Sequence, residues 1–364
     1  MGEREPERPG MTKQPVTMEG AVCPVPIDHR EVVVIGHGSG GRMTQALISR
    51  IFYPAFENAP LLRGDDSAVV ETPGPGRLAV TTDSHIVSPL FFPGGDIGRL
   101  AVCGTVNDLA MVGARPQWLT AGFILEEGLS LETLQRVAES MKAAAEEAGV
   151  SIIAGDTKVA ERGKADGLFI NTSGVGIIPS GREVGGARAR PGDVVLVSGT
   201  LGDHGIAVLA ARGQLQFEAD VISDIAPLNG LVEAMFEAFP GLGVLRDPTR
   251  GGLATALNEI ARQSEVGIHL DEPAIPIGQA VTAACELLGL DPLYVANEGK
   301  LVAMVPPEQA GAVLEAMRAH PLGKQACRIG EVIGEPRGRV LMRTSIGGTR
   351  IVDVLAGEML PRIC

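Results

Sequence analysis

Strand-like and helical segments alternate along this 364-residue chain, and aspartates recur where the apolar segments end. Asp65 and Asp66 stand in RGDDSAVV, Asp83 closes LAVTTD, and Asp108 lies in LAVCGTVNDLAMVG. Asp156 follows SIIAG, and Asp247 stands in RDPTRGG. The alternation points to an α/β (α+β) class, with sheets covered by helices. One aspartate beside a turn is an ordinary turn or cap residue. Recurrence at several strand ends instead lines carboxylates along sheet edges, where they can hold a cation. Magnesium takes oxygen ligands in octahedral geometry and shares them with substrate phosphates.

Leu78–Thr82, Trp118–Leu125, Ser151–Ala154 and Leu168–Ile178 read as strands. Leu131–Ala148 reads as an amphipathic helix, because Leu134, Val137, Met141 and Ala145 recur at helical spacing. Ser130 can cap its start and Gly149 can end it. The stretch PSGREVGGARARPGD has no apolar periodicity and sets a boundary near 179–192. An N-terminal domain is assigned to 29–180 and a C-terminal αβ domain to 190–352. In the second half Val194–Ser198 and Leu293–Val305 read as strands. Helices run from about Gly252 to Arg262 and from about Glu308 to His320. Residues 1–28, rich in Pro, Glu and Arg, read as a disordered extension. Residues 353–364 read as a flexible tail that carries Cys364 and has no clear packing partner.

Composition narrows the function classes. A net charge of −13 argues against a nucleic-acid partner, since phosphate neutralisation needs clustered Lys and Arg. The acidic excess serves either cation recruitment or plain solubility. Aromatic residues are only 3%, so the core is left to Val, Leu, Ile, Ala and Met. Five scattered cysteines without a CxxC pair suggest neither a zinc site nor a disulfide scaffold, and fit a reducing cytoplasm. No apolar run approaches the ~20 residues that span a bilayer, and no signal-peptide hydrophobic region is present at the start.

Several motifs carry chemistry. Asn107 and Asp108 interrupt an apolar helical stretch. A carboxylate there is costly unless paired or metal-bound, or else it marks an exposed stripe. Gly36–Gly41 reads GHGSGG, either a phosphate-cradling loop or a flexible turn; no Gly-Lys-Ser/Thr makes it a P-loop. In RDPTRGGLATAL, Asp247, Thr249 and Arg250 gather at a helix N-terminus, an anion-binding position with a carboxylate beside it. Thr157 and Lys158 follow Asp156, and a lysine there can meet phosphate or move a proton. Glu298 interrupts the apolar run YVANEGKLV, as a base or as a solvent-facing charge. Cys364, in MLPRIC, carries its own α-carboxylate and reads as an exposed, mobile thiol suited to carrying a group.

Together GDDSAVV, TTDSHIVSP, GRLAVCGTVNDLAMVGARP, AGDTKV and RDPTRGGLATALNEIA resemble a superfamily of ATP-dependent enzymes. It includes aminoimidazole ribonucleotide synthetase, selenophosphate synthetase, thiamine-phosphate kinase and the HypE carbamoyl dehydratases. The resemblance covers roughly residues 31–364, and the ending PRIC with the GHGSGG start is most similar to HypE. It implies a two-domain fold and a homodimer whose N-terminal domains share a β-barrel. It also implies that Asp66, Asp83, Asp108 and Asp247 hold magnesium and ATP phosphates. Asp65, Asn107, Asp156, Thr157, Thr249 and Arg250 then support the nucleotide, and Lys158 and Glu298 remove protons. Cys364 would receive a carbamoyl group from the carbamoyltransferase HypF, carry it through dehydration to a thiocyanate, and pass it to a HypC–HypD complex. Two alternatives stand beside this reading. A selenophosphate synthetase would need a cysteine near its start, and Cys23 in AVCPVP lacks the expected Gly-rich surroundings with a nearby lysine. A carrier that does not use ATP would have no need of the aspartates.

Overall fold

The computed structural model describes residues 41–47, 49, 62–65, 68–71, 76–213, 221–355, 357 and 360–364. The N-terminal extension, Cys23, the GHGSGG loop apart from Gly41, Asp66, and the side chains of Asp156 and Thr157 lie outside the described residues.

The first half opens with α1 (Arg42–Leu47), β1 (Ala68–Glu71), β2 (Arg77–His85) and a small ribbon of β3 (Phe91–Phe92) and β4 (Gly95–Asp96). Then come α2 (Ile97–Met111), β5 (Arg115–Glu126), α3 (Leu131–Ala148), β6 (Ser151–Ala160) and β7 (Leu168–Ile178). Five strands form one sheet in the order β1-β2-β7-β5-β6. The expected amphipathic helix is α3, with Ser130 accepting from Thr133 N and Gly149 ending it at φ 69°. It is the crossover that makes β5 and β6 parallel, Trp118 opposite Ser151 and Ile124 opposite Lys158.

Helix α2 sets the position of everything at the site. Asp96 caps it through Gly98 N (2.7 Å) and Arg99 N (3.2 Å). All its residues except Arg99 and Asp108 are buried, as expected for a helix apolar nearly all round. It lies close on the sheet because Gly174 of β7 has no side chain; a Cβ there would be 2.6 Å from Thr105 Cγ2. The opposite face of the sheet leaves Val80, Trp118 and Ile124 exposed, and the edge strand β6 leaves Ile153 and Val159 exposed.

The second half contains β8 (Val194–Val197), α4 (Asp203–Ala211), α5 (Asn229–Ala238), β9 (Val244–Arg246), α6 (Gly252–Gln263), β10 (Gly267–Asp271) and α7 (Gln279–Leu288). It closes with β11 (Val302–Val305), α8 (Pro307–Ala319), β12 (Cys327–Ile333), β13 (Arg339–Arg343) and β14 (Thr349–Val352). These strands make a seven-stranded sheet in the order β14-β13-β10-β12-β8-β11-β9. Its inner strand β8 is buried on both faces: Val195 and Val197 pack with α6, while Val194 and Leu196 pack with α5 and α8.

The strand expected over Leu293–Val305 is shorter, and this corrects the setting of Glu298. Asp291 accepts from Leu293 N at 3.0 Å and, with Pro292, starts a 3-10 turn over Pro292–Tyr294. Strand pairing begins only at Val302. Between them Gly299 presses on the Asp224 carbonyl, where a Cβ would come within 1.8 Å. Glu298 therefore sits on a loop fixed by tertiary contacts.

A three-residue clamp joins the halves. Arg182, in the connecting segment, forms a two-pronged pair with Glu233 of α5 at 2.5 and 2.8 Å and stacks over Phe236 at 4.0 Å. Arg115 of β5 reaches the same carboxylate at 2.9 Å. Hydrogen bonding from Arg182 holds Glu233 down at about 2, against an ordinary value of 4.5. A depressed carboxylate contributes stability above its ordinary pKa and loses it as pH falls toward the depressed value. Glu233→Gln is therefore expected to cost roughly 1–2 kcal/mol at neutral pH, discounted for partial exposure. The gap in melting temperature from the parent chain should narrow steadily below about pH 4.5. A gap unchanged between pH 7 and pH 3 would show that the clamp contributes by packing alone.

Candidate functional site

Strand alternation builds the first wall. Thr81, Asp83 and His85 fall on the α2 side of β2. Gly104 of α2 lies against them: a Cβ there would sit 3.1 Å from both Asp83 Oδ2 and His85 Cε1. Asp108, one turn further on, accepts from Thr81 Oγ1 at 2.8 Å. The carboxylate in the apolar helix is thus paired and partly buried. Asp83 accepts from Ser84 N at 2.8 Å and stands 3.5 Å from His85 Nε2. His85 is buried and neither ring nitrogen has a hydrogen-bond partner. Burial holds its pKa down, against the pull of Asp83.

The second wall comes from the C-terminal half. After β9 the chain turns through Gly251 at φ 84° and Gly252 at φ 62° into α6. Both torsions belong to glycine, and Gly252 also lies where a Cβ would be 2.5 Å from the Leu293 carbonyl. A cavity of about 110 Å3 opens here, lined among others by Asp247, Thr249, Arg250 and Thr255. Buried Asp247 is pushed up to about 6 by loss of solvent, with Arg246 opposing. Thr255 Oγ1, at the start of α6, is buried without a partner.

Asn107 holds the walls together. Its amide donates to Ala226 O (3.1 Å) and Glu298 O (3.2 Å), and its oxygen accepts from Leu228 N (2.7 Å). It thus fixes the Glu298 loop, a structural role different from the nucleotide support that the resemblance implied. Glu298 is 4% exposed and its Oε1 has no partner. Burial raises its pKa well above the carboxylate range, Asp83, Asp247 and Asp224 add to this, and Arg250 opposes it.

Cys364 completes the group. Arg250 Nη2 lies 3.0 Å from its Sγ and 3.4 Å from its oxygen, which also accepts from Ile86 N at 3.2 Å. The thiol is partly buried, not exposed, and it packs against the α2 core with Ile363 and Leu360. Burial pushes it up to about 12, Arg250 opposes, and Glu298 and Asp83 reinforce the shift. A terminal cysteine looks exposed in a sequence because its packing partners, such as Val87 and Val208, are remote in the chain.

Other sequence candidates fall elsewhere. Asp65 accepts from Gly186 N at 3.2 Å, at the junction of the halves. Lys158 is exposed on β6, three strands from Asp83 in the sheet order, or ~14 Å at ordinary strand spacing. Sequence reading missed His85, Gly104 and the tail contacts of His204 and Arg212. His85 was within reach of it, since it stands two residues after Asp83 and so shares its face.

The donor set suits a magnesium ion shared with phosphates. The carboxylates are hard oxygen ligands, and burial leaves Asp247 and Glu298 in want of positive charge. Among the described residues no group of three or more His, Cys, Asp or Glu already surrounds a metal position. Magnesium bound through one or two carboxylates plus phosphates needs no such cage.

The family model for the N-terminal domain of AIR synthase related proteins matches residues 64–178, and that for the C-terminal domain matches 190–343. A curated relative, carbamoyl dehydratase HypE of Cupriavidus necator, is 59% identical over 330 residues, 91% of this chain and 94% of its own. The chain belongs to the AIR synthase related family, in its HypE branch. A HypE crystal structure in complex with ATP is 52% identical, with a TM-score of 0.76 over 92% of this chain and all of that one. A HypE–HypF complex contains a chain 50% identical, with a TM-score of 0.81 over 85% of this chain and all of that one. The HypE resemblance read from the motifs is therefore met, as is the two-domain α/β fold it implied.

Asn107→Ala leaves the Leu228 amide and two buried carbonyls unpaired. It is expected to cost about 2–4 kcal/mol in urea unfolding. A cost below about 1 kcal/mol would mean water replaces the amide at no penalty.

Proposed function

We propose that this HypE-branch chain is an ATP-dependent carbamoyl dehydratase whose substrate is its own modified tail. The observation that carries the proposal is the seating of Cys364 Sγ 3.0 Å from Arg250, within one electrostatic group with Glu298 and Asp83. The names of its close relatives, and the ATP and HypF complexes of two of them, support the same reading.

The reaction converts Cys364–S–C(=O)–NH2 to Cys364–S–C≡N. The carboxamide oxygen takes the γ-phosphoryl group of ATP and ADP leaves. Both N–H protons are then removed while the C–O bond breaks and phosphate departs, so oxide never has to leave. Arg250 already donates to the sulfur and is placed to steady the group attached there. Asp83, Asp108 and Asp247, with Asp66 by resemblance, would hold the cation, and Thr249 lies in the adjoining cavity for phosphate. Magnesium, when bound, would supply charge against the transferring phosphoryl group and against the carboxylates that, after burial, raise the pKa of Glu298. Glu298, freed of its proton, then takes one from nitrogen. Ile363, 3% exposed, anchors the tail in the core beside Cys364, and a site that excludes water would protect the activated group. Lys158 and the Asp156–Thr157 segment take their parts by resemblance. In this reading Lys158, three strands from Asp83, would serve the site of a second copy.

That second copy would close the barrel on the face that exposes Val80, Trp118 and Ile124. HypF would load the carbamoyl group, and a HypC–HypD complex would take the product. About ten extended residues span ~33 Å, enough for the tail to carry Cys364 out to a partner. The four described cysteines are free thiols and no described helix is long and apolar enough to cross a membrane. Both fit work in the cytoplasm.

Incubation with the carbamoyltransferase, carbamoyl phosphate and ATP should give a C-terminal peptide bearing a carbamoyl group that loses the mass of water only when ATP is present. An unmodified Cys364, or water loss without ATP, would sink the proposal. Glu298→Gln should still accept the carbamoyl group but lose water about 10²–10⁴-fold more slowly. Gly104→Ala should weaken magnesium-ATP binding in calorimetry by at least about tenfold, although alanine favours the helix by ~1 kcal/mol.

A further inference from the structure

The tail is held by its backbone. Each of its last four carbonyl oxygens is captured. Arg212 donates to Pro361 O and, at 2.8 Å, to Arg362 O. Ser88 N also donates to Arg362 O at 3.1 Å, and Ile86 N to Cys364 O at 3.2 Å. The remaining carbonyl, Ile363 O, is met at 3.0 Å by His204 Nε2. Arg212 also donates from Nε to Ser88 O at 2.9 Å, so one guanidinium ties the tail to the loop beyond β2. Side chains add to this: Arg362 pairs with Asp166 and donates to Ile86 O at 3.3 Å, Ile363 lies in the core, Leu360 lies beside Gly205, and Arg250 meets the Cys364 sulfur.

His204 is fully specified. A carbonyl only accepts, so Nε2 carries the proton. Nδ1 must then accept from the Ser223 hydroxyl, 2.8 Å away. Ser223 Oγ in turn accepts from Ile225 N at 3.3 Å. The ring is wholly buried, with the Phe92 ring edge-on at 5.5 Å. Burial lowers its pKa, against the pull of Asp224 and of the Ile363 hydrogen bond. The dehydration chemistry uses none of these groups.

We propose that His204 is a positioning residue. With Ser223 and Arg212 it forms a carbonyl-reading dock, and this dock sets the register of Cys364 against Arg250 and Glu298. Ile363 O is one residue from the sulfur, so fixing it fixes the direction in which Sγ points. Because the dock reads backbone, it takes the tail before and after the sulfur is modified. The catalytic consequence rests on the dehydratase reading; the docking itself does not.

The test uses the full chain and iodoacetamide, with alkylation of Cys364 followed by mass spectrometry and the buried Cys103 and Cys285 as internal references. His204→Leu is expected to speed Cys364 alkylation by at least about tenfold, the loss of one buried hydrogen bond. His204→Gln, which restores a donor near Nε2, should stay within about threefold of the parent chain. Arg212→Ala should speed alkylation several-fold. Cys103 and Cys285 should stay protected throughout, and ATP affinity should not change. An unchanged Cys364 rate in His204→Leu, or a Gln variant as fast as Leu, overturns the proposal. If His204→Leu exposes the reference thiols, Arg212→Ala decides, and an unchanged rate there overturns it equally. In single-turnover dehydration the rate should fall by the factor by which the docked fraction falls. Faster alkylation beside a parent chain that never loses water would leave the dock standing and remove the dehydratase reading.

Discussion

The Asn107 side chain commits both amide protons and its oxygen to the C-terminal half, to Ala226, Glu298 and Leu228. The rest of the site depends on this bond set. Helix α2 is buried between the first sheet and the second half, so Asn107 converts the packing of one domain into the placement of a loop in the other. On the sheet side, Gly104 lets Asp83 and His85 lie against the same helix. One helix thus fixes a carboxylate of β2 on one flank and Glu298 on the other. The clamp of Arg182 and Arg115 on Glu233 repeats the principle further from the chemistry.

That framework holds together charges that water would otherwise separate. Asp83, Asp247 and Glu298 repel one another at the junction, with Arg250 opposing at Glu298 and Arg246 at Asp247. The result is a site that needs positive charge and has a sulfur at its centre. Arg250 meets that sulfur directly, which explains why an anion-binding arginine at a helix N-terminus also belongs to the tail. Three kinds of demand converge here: carboxylates that want a cation, a glutamate that must lose its proton to act, and a terminal thiol whose pKa burial in this seat raises.

Much of this was legible in the sequence, and the limits have physical causes. Helix α3 was marked by its own periodicity and caps, and β7 by its apolar run, because both signals are local. Asp83, Asp247, Arg250 and Glu298 were marked by motif, and the structure brings them together. The strand over Leu293–Val305 was too long because Gly299 answers to the Asp224 carbonyl 75 residues earlier in the chain, a contact no window can register. The enclosed setting of Cys364 was missed for the same reason. Its seat is made by Ile86, by His204 and Arg212 from α4 and its end, and by Arg250, three segments far apart in the chain. Asp65 and Lys158 carried the right chemistry, but residue type alone could not place one at the domain junction and the other on a sheet edge.

The central claim is that the sulfur of Cys364 is where the carbon–nitrogen triple bond forms. Infrared spectroscopy after loading with ¹³C-labelled carbamoyl phosphate tests it most directly. The account predicts a nitrile stretch that appears only with ATP, shifts with the label and is lost in Cys364→Ser. A nitrile band that survives that substitution, or forms without ATP, would contradict it.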